Sequence, residues 1–458
     1  MSFVRSTMQT LNRQFRAARF GRHAMLGLLP LLLLISQPGA AAPHILVDME
    51  TGRILEQKDA LLPWYPASVT KLMTAFVTFE AIAAGDLTMR SAVIMSRNAL
   101  NEPPSKMGFA VGTEVTVENA LKMLIVKSAN DIAVALAEAV GGSEQKFVAR
   151  MNATAARLGM TGTRFRNPNG LPAKGQTTNA RDMAVLTQAI FKQYPQHGDL
   201  FKITAIRAGK RVLKSYNPLL TRYQGATGMK TGFICSSGFN MVATANRGGR
   251  DLIAVVFGAP SSQERAETAA QLLDKGFRSS GQSSQKSVAD YKARGLTAEP
   301  MDMRSQICSK AARSERAKFR KSYKMGEGIS VLSNVDLVET IPVAVRTGGA
   351  IRTISAALRN APTPVPRPDV VLAAVPDPAD DTTVEGSATE VADQMEGAAD
   401  QVDTGDGDGD EARVSSQSAQ SAQSAPSAQS APSAQSALGG IPLPADRPAF
   451  AKTAEPVN

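Results

Sequence analysis

A nucleophile with a base beside it is offered most compactly by one short stretch, Pro66-Ala67-Ser68-Val69-Thr70-Lys71. On a helix, residues three apart share a face, so the Lys71 amine can hydrogen-bond the Ser68 hydroxyl. The positive end of the helix favours an alkoxide and weakens the hold of a neighbouring ammonium on its proton, so a neutral Lys71 can act as base near pH 7. Histidine is a poor competitor for that role. The chain has three histidines: His23 lies in an N-terminal basic and apolar stretch, His44 begins the globular part, and His197 lies in the loop-like Gln196-His197-Gly198. A Ser-His-Asp triad has little to draw on and the His-x-x-His spacing of zinc sites does not occur, so neither metal nor cofactor is expected. Ser-x-x-Lys is a cheap pattern, however, and Ser283-Ser284-Gln285-Lys286 repeats it in polar surroundings.

Two further stretches give the first one context. Lys230-Thr231-Gly232 lies on an apolar strand-like run, 225–233. Its glycine lets a substrate approach the strand backbone, while the lysine and threonine offer a charge and a hydroxyl to a carboxylate. Ser128-Ala129-Asn130 breaks two apolar helical runs and would bring a relay hydroxyl and an amide. Ser96-Arg97-Asn98 and Ser215-Tyr216-Asn217 match Ser-x-Asn equally well, but order and spacing select Ser128. The acidic Asp406-Gly407-Asp408-Gly409-Asp410 imitates a calcium loop and fails as one, with Glu411 where glycine is needed and Gln417 where glutamate is needed.

The elements that must position these residues are legible around them. The run 72–84 is an apolar-periodic helix, with Leu72, Ala75, Phe76, Phe79 and Ile82 as its buried stripe and Gly85 as its stop. Residues 44–48 and 53–55 read as a hairpin around Gly52; 117–126, 131–140, 143–158 and 183–191 read as helices; 92–95 and 114–116 as short strands. The runs 225–233, 239–245 and 251–259 are strands, the last two joined through Gly248-Gly249-Arg250, and 263–277 is a closing helix. Strands at both ends with helices between them predict an α+β fold. One antiparallel sheet joins the ends, flanked by helices and carrying a helical subdomain as an insertion.

Composition bounds the rest. Residues 1–42 carry Arg5, Arg13, Arg16, Arg19 and Arg22 with no acid, then the apolar 24–35, then Pro38-Gly39-Ala40-Ala41-Ala42. That is the order of a signal peptide with a small-residue cleavage site, and an uncleaved anchor is the alternative. Without those five arginines the formal charge of +10 falls to about +5, so nucleic acid is not an expected partner. Residues 43–280 have the composition of one globular domain; 281–360 read as a basic segment or a small appended domain of uncertain fold; 361–458 are Pro-rich, then acidic, then Ser-Ala-Gln repeats, and are expected to be a disordered tail. Cys235 and Cys308 would sit in an oxidising compartment, paired or free according to a distance the sequence does not state.

Three motifs in this order form the set of the penicillin-binding proteins and class A β-lactamases. Over 43–280 the chain resembles the low-molecular-weight penicillin-binding proteins, the serine-type D-alanyl-D-alanine carboxypeptidases. Besides the three motifs, Thr178-Asn179-Ala180-Arg181-Asp182-Met183 and Gly238-Phe239-Asn240 carry the likeness. The resemblance implies a β-lactamase/transpeptidase-like fold and an acyl-enzyme on Ser68, with Lys71 as base. It places the oxyanion between the backbone N–H groups of Ser68 and Phe233, passes a proton to the leaving D-Ala through Ser128 and Lys230, and holds the acyl side chain on Asn130. Lys230, Thr231, Gly232 and Arg265 would bind substrate, Arg265 through its terminal carboxylate. Implied partners are the peptidoglycan stem peptide and β-lactams as covalent inhibitors, in the periplasm or cell-wall space. A DD-endopeptidase using the same residues, or an idle wall-binding protein, are the alternatives. A deacylating glutamate of the β-lactamase kind is not expected, since none occurs between Glu144 and Glu264. A β-rich second domain and a C-terminal amphipathic anchor, common in the family, are not evident in the sequence, which leaves membrane attachment open.

Overall fold

The apolar run Ile45-Leu46-Val47 forms strand β1 (His44–Asp48), which turns through Gly52, at φ +72°, into β2 (Ile54–Lys58). The structure is a computed structural model that describes residues 43–279, 286–293, 299–324 and 330–350. The leader-like 1–42, the serine of the second Ser-x-x-Lys, the calcium-loop imitation and the low-complexity 361–458 lie outside the described residues.

Ser68 was expected in the first turn of an α-helix and instead lies in a 3-10 turn, Ala67–Thr70, that leads into helix α1 (Lys71–Ala83). The substitution costs the pairing nothing, because side chains three apart eclipse in a 3-10 turn. The expected apolar stripe is also too narrow: every residue of 71–79 is buried. Thr74 and Thr78 hide the polar side of the helix from a periodicity count, since their hydroxyls donate to Pro168 O (2.5 Å) and Thr74 O (2.8 Å). A helix enclosed on all sides in this way is the centre of the molecule.

Strand β3 (Ala92–Ile94), helix α2 (Arg97–Asn101), strand β4 (Glu114–Thr116) and helices α3 (Val117–Val126), α4 (Asn130–Gly141) and α5 (Glu144–Arg157) form the helical insertion. Thr116 and Ser143 cap α3 and α5 through their side-chain oxygens, and Gly142, at φ +74°, ends α4. Helix α6 (Ala180–Gln193) is capped by Asn179. Strands β5 (Ala205–Ala208) and β6 (Arg211–Lys214), a hairpin that the sequence did not signal, and the short α7 (Leu219–Arg222) precede the long strands β7 (Ala226–Ile234), β8 (Gly238–Arg247) and β9 (Arg250–Ala259) and helix α8 (Ser262–Arg278).

The main sheet runs β2-β1-β9-β8-β7, all antiparallel, with His44 opposite Val256 and Leu46 opposite Ala254. Alternate side chains of β1 serve two cores: Ile45 and Val47 join the cluster around α1, while Leu46 packs with Leu252, Val256 and α8. Burying these three side chains is worth about 1.5–3 kcal/mol each, which fixes the N-terminal strand at the inside of the sheet.

Over the parts described, residues beyond α8 are tied to the elements before them. They strap the sheet and its helices. Val288 O accepts from buried Arg181; helix α9 (Arg304–Cys308) ends in a disulfide to Cys235; helix α10 (Lys310–Lys324) follows it; Val331 N donates to Glu267; and β10 (Val343–Val345) adds a parallel strand to β5.

Candidate active site

The 3-10 turn holds Ser68 at the mouth of α1 through three neighbours. Asn240 of β8 donates to Tyr65 O (2.9 Å) and Pro66 O (3.2 Å) and accepts from Gly258 N. Gly232 of β7 passes so near that a methyl there would stand 2.9 Å from Ser68 N. Gly170, at φ +89°, lies under Ala67 with no room for any side chain. Three non-glycine residues among those described have positive φ: Asp59, Ala67 (47°) and Ser128 (60°). Two of the three flank the chemistry, where stored backbone strain is typically found.

Lys71 Nζ reaches Ser68 Oγ at 3.0 Å, Asn130 Oδ1 at 2.8 Å and the carbonyl of Asn169 at 2.7 Å. It is fully buried, and burial pulls its ammonium down to about 7, against the opposing attraction of Glu102 and Asp131. Half of the lysine is therefore uncharged at neutral pH and able to accept a proton from Ser68. Lys230 Nζ reaches Ser128 Oγ and Thr231 O, both at 2.9 Å. Burial, then the charges of Lys71 and Arg265, hold it well below the ordinary lysine range. Asn130 is fixed independently: its side chain donates to Pro103 O (2.9 Å) and its N–H to Ser105 O (2.7 Å). The selected Ser-x-x-Lys, Ser-x-Asn and Lys-Thr-Gly stretches thus meet, and Ser68, Ser128, Asn130 and Phe233 line one narrow cleft. A wider cleft of about 900 Å³ beside α4 and α5 holds no Ser68-like pair.

Arg265 is buried behind this cleft. Its guanidinium donates to Asn240 O (3.4 Å) and Tyr216 O (3.3 Å), lies 5.9 Å from the Phe239 ring, and has an unpartnered Nε. Burial lowers it to about 9, so it stays charged at pH 7. Of the two rejected Ser-x-Asn stretches, Ser96-Arg97-Asn98 caps α2 and bonds Glu138 and Glu144, while Ser215-Tyr216-Asn217 contributes Tyr216 to the cleft wall. Sequence reasoning missed Tyr216, Asn169, Gly170 and Glu102. The turn cluster Asn167-Pro168-Asn169-Gly170 was the available signal for the middle two, because a polar turn whose carbonyls enter a core has to be feeding a buried donor.

A model of the D-alanyl-D-alanine carboxypeptidase family matches residues 35–261. DacB2, a D-alanyl-D-alanine carboxypeptidase of Mycobacterium tuberculosis, is 31% identical over 261 residues, covering 54% of this chain and 85% of that protein. The chain belongs to the D-alanyl-D-alanine carboxypeptidase family. The family's DacF from Bacillus subtilis is 34% identical over 245 residues, 52% of this chain and 62% of that protein, so the match spans about three fifths of that relative. Among solved structures, penicillin binding protein 6B from Escherichia coli is 35% identical with a TM-score of 0.50, over 52% of this chain and 78% of that one. Penicillin binding protein 5 from Haemophilus influenzae is 32% identical with a TM-score of 0.50, over 52% and 71%. The α+β, β-lactamase/transpeptidase-like fold expected from the motifs is that of these relatives. Among the described residues no helix is long and apolar enough to cross a membrane.

Proposed function

We propose that the chain is a serine D-Ala-D-Ala carboxypeptidase that removes the terminal D-Ala from peptidoglycan stem pentapeptides through an acyl-enzyme on Ser68, and that penicillin is captured on the same oxygen. The observation that carries this is the 3.0 Å contact between Ser68 Oγ and a fully buried Lys71 amine brought to about 7. In acylation, Ser68 gives its proton to Lys71 Nζ as Oγ bonds the penultimate D-Ala carbonyl carbon. The oxyanion is received by the N–H groups of Ser68 and Phe233, the arrangement in which such donors act most strongly. The C–N bond then breaks, and the leaving amine takes a proton relayed from Lys230 through Ser128. Asn130 holds the acyl chain; Lys230, Thr231, Gly232 and Arg265 supply charge and close approach for the terminal carboxylate. Water next attacks the ester carbon, giving a proton back to Lys230 through Ser128, and the C–Oγ bond breaks as Lys71 returns the proton to Ser68. An exported location, periplasm or cell-wall space, is supported by the Cys235–Cys308 disulfide, which persists in oxidising surroundings.

The test is to incubate the purified full chain and its Ser68→Ala variant with fluorescent penicillin and with a stem pentapeptide. Covalent label and released D-Ala, both lost in the variant, are expected. Label accompanied by cross-link cleavage alone would make the enzyme a DD-endopeptidase, and no label with no cleavage would leave an idle wall binder.

A further inference from the structure

One carboxylate approaches the Ser68–Lys71 pair from an element that none of the motifs includes. Glu102 follows α2 and opens the loop that carries Pro103 and Ser105, whose carbonyls hold Asn130. Its Oε2 accepts from Asn169 Nδ2 at 2.8 Å, and the carbonyl of that same Asn169 accepts from Lys71 Nζ at 2.7 Å. Asn169 is buried and clamped further by Leu171 N on its Oδ1. A continuous hydrogen-bonded line therefore runs from Glu102 through Asn169 and Lys71 to Ser68.

The charges facing Glu102 come from four elements. Lys71 on α1 draws a proton off it; Asp131 on α4 and Glu144 on α5 push one on. Glu138 shares Asn98 with Glu144, and Arg164 and Arg166 line the same neighbouring cleft. Asp131 is committed to the backbone N–H groups of Met107, Gly108 and Ile132, whereas Glu102 Oε1 has no hydrogen bond among the described residues and is open to a proton. Burial, reinforced by Glu144, raises the Glu102 carboxyl to about 7, the value to which burial lowers Lys71. Two groups held by one residue, one on its side-chain amide and one on its backbone carbonyl, therefore influence each other's protonation.

We propose that Glu102 is a positioning residue that seats Lys71 through Asn169 and, while ionised, favours the protonated form of Lys71 and so restrains the activation of Ser68. With Glu102 protonated, Lys71 loses its proton more readily and the serine is primed; with Glu102 ionised, its charge keeps the proton on Lys71 and the serine idle. Each group exchanges its proton with solvent, because Asn169 gives Glu102 its side-chain amide and Lys71 its backbone carbonyl and relays no proton between them. The coupling makes the rate of acylation respond to pH through a carboxylate outside the three motifs, and it rests on the acyl-enzyme reading given above.

Glu102→Gln tests it, because an amide oxygen can still accept from Asn169 while the charge is gone. Removing the charge frees Lys71 of its counter-ion, so the acidic limb of penicillin acylation should move down by about one pH unit, a roughly fivefold to tenfold faster reaction on that limb. Glu144→Gln should move it the other way, by less, since Glu102 then ionises more readily. Glu102→Ala should move the acid limb down in the same way but lower the plateau rate, because the seat of Lys71 loosens as well. The Lys71 titration is followed in parallel by ε-carbon NMR of lysine-labelled protein, assigned by its loss in Lys71→Arg, and should fall by the same amount in Glu102→Gln. A Lys71 titration and acid limb that stay within about 0.3 units of wild type in a variant of unchanged melting temperature would overturn the inference. Failure of wild type to take up penicillin would instead overturn the proposed function, and the NMR titration would still decide the role of Glu102.

Discussion

Replacing Gly232 by alanine perturbs the catalytic turn from the strand side. The added methyl would stand 2.9 Å from Ser68 N, 3.0 Å from Val69 N and 3.1 Å from Pro66 O. Carbon contacts settle at about 3.5–4.0 Å, so roughly half an ångström has to be found. All three obstacles are backbone, and Pro66 O is pinned by Asn240, so no flexible side chain can swing away. The φ of Gly232 is not in the left-handed region, so alanine suits the strand itself and the displacement falls on the turn. Loss of one oxyanion donor costs about a hundredfold to a thousandfold in rate, roughly 2.7–4 kcal/mol, while overpacking of this kind costs about 1–3 kcal/mol of stability. The variant should therefore fold, melt a few degrees lower and take up penicillin at least about a hundredfold more slowly in a stopped-flow acylation assay. A folded Gly232→Ala protein acylated within about threefold of wild type would refute both the close approach and the oxyanion role assigned to Ser68 N–H.

The remaining predictions concern pH and the frame of the site. With Lys71 near 7, the neutral amine falls from half the population at that pH to about a tenth at one unit below, so acylation should slow roughly fivefold between pH 7 and 6 in a label-rate profile. Gly170→Ala would put a methyl in collision with Ala67 O on a residue at φ +89°; the expected loss of more than about 4 kcal/mol shows as lost soluble yield or a collapsed melting transition. Cys308→Ser removes a bridge between residues 73 apart, worth about 4 kcal/mol in chain entropy, and should lower the melting temperature as much as reductant lowers that of wild type.

Much of this was written in the chain because the chemistry is local. Ser68 and Lys71 are three apart, Lys230 to Gly232 are contiguous, and Ser128 and Asn130 flank one residue, so each motif survives without knowledge of the fold. The sheet was legible for a different reason: β8 and β9 share a tight glycine turn, and β1 is too apolar to lie at an edge. What stayed hidden depends on long-range contact. Glu102 lies 67 residues from the asparagine that it holds, and Tyr216 lies 49 from the arginine whose guanidinium its carbonyl accepts from. The α1 face bearing Thr74 and Thr78 looked half-polar because a threonine that bonds a carbonyl is indistinguishable, by composition, from one that meets water. The strap was hard to read because its hold on the domain comes from single anchors, a disulfide, a few carbonyls and a three-residue strand, which leave no periodicity to count.

The pairing of His44 with Val256 has a consequence for how the molecule comes into being. The first strand waits for a neighbour more than two hundred residues downstream, so no early fragment can complete the sheet, and such long-range topology makes for slow closure. Until Val256 has been synthesised, the sheet lacks the strand that joins β1 to β8. That is the state in which a polypeptide can be threaded end-on through a narrow passage before it acquires its final shape.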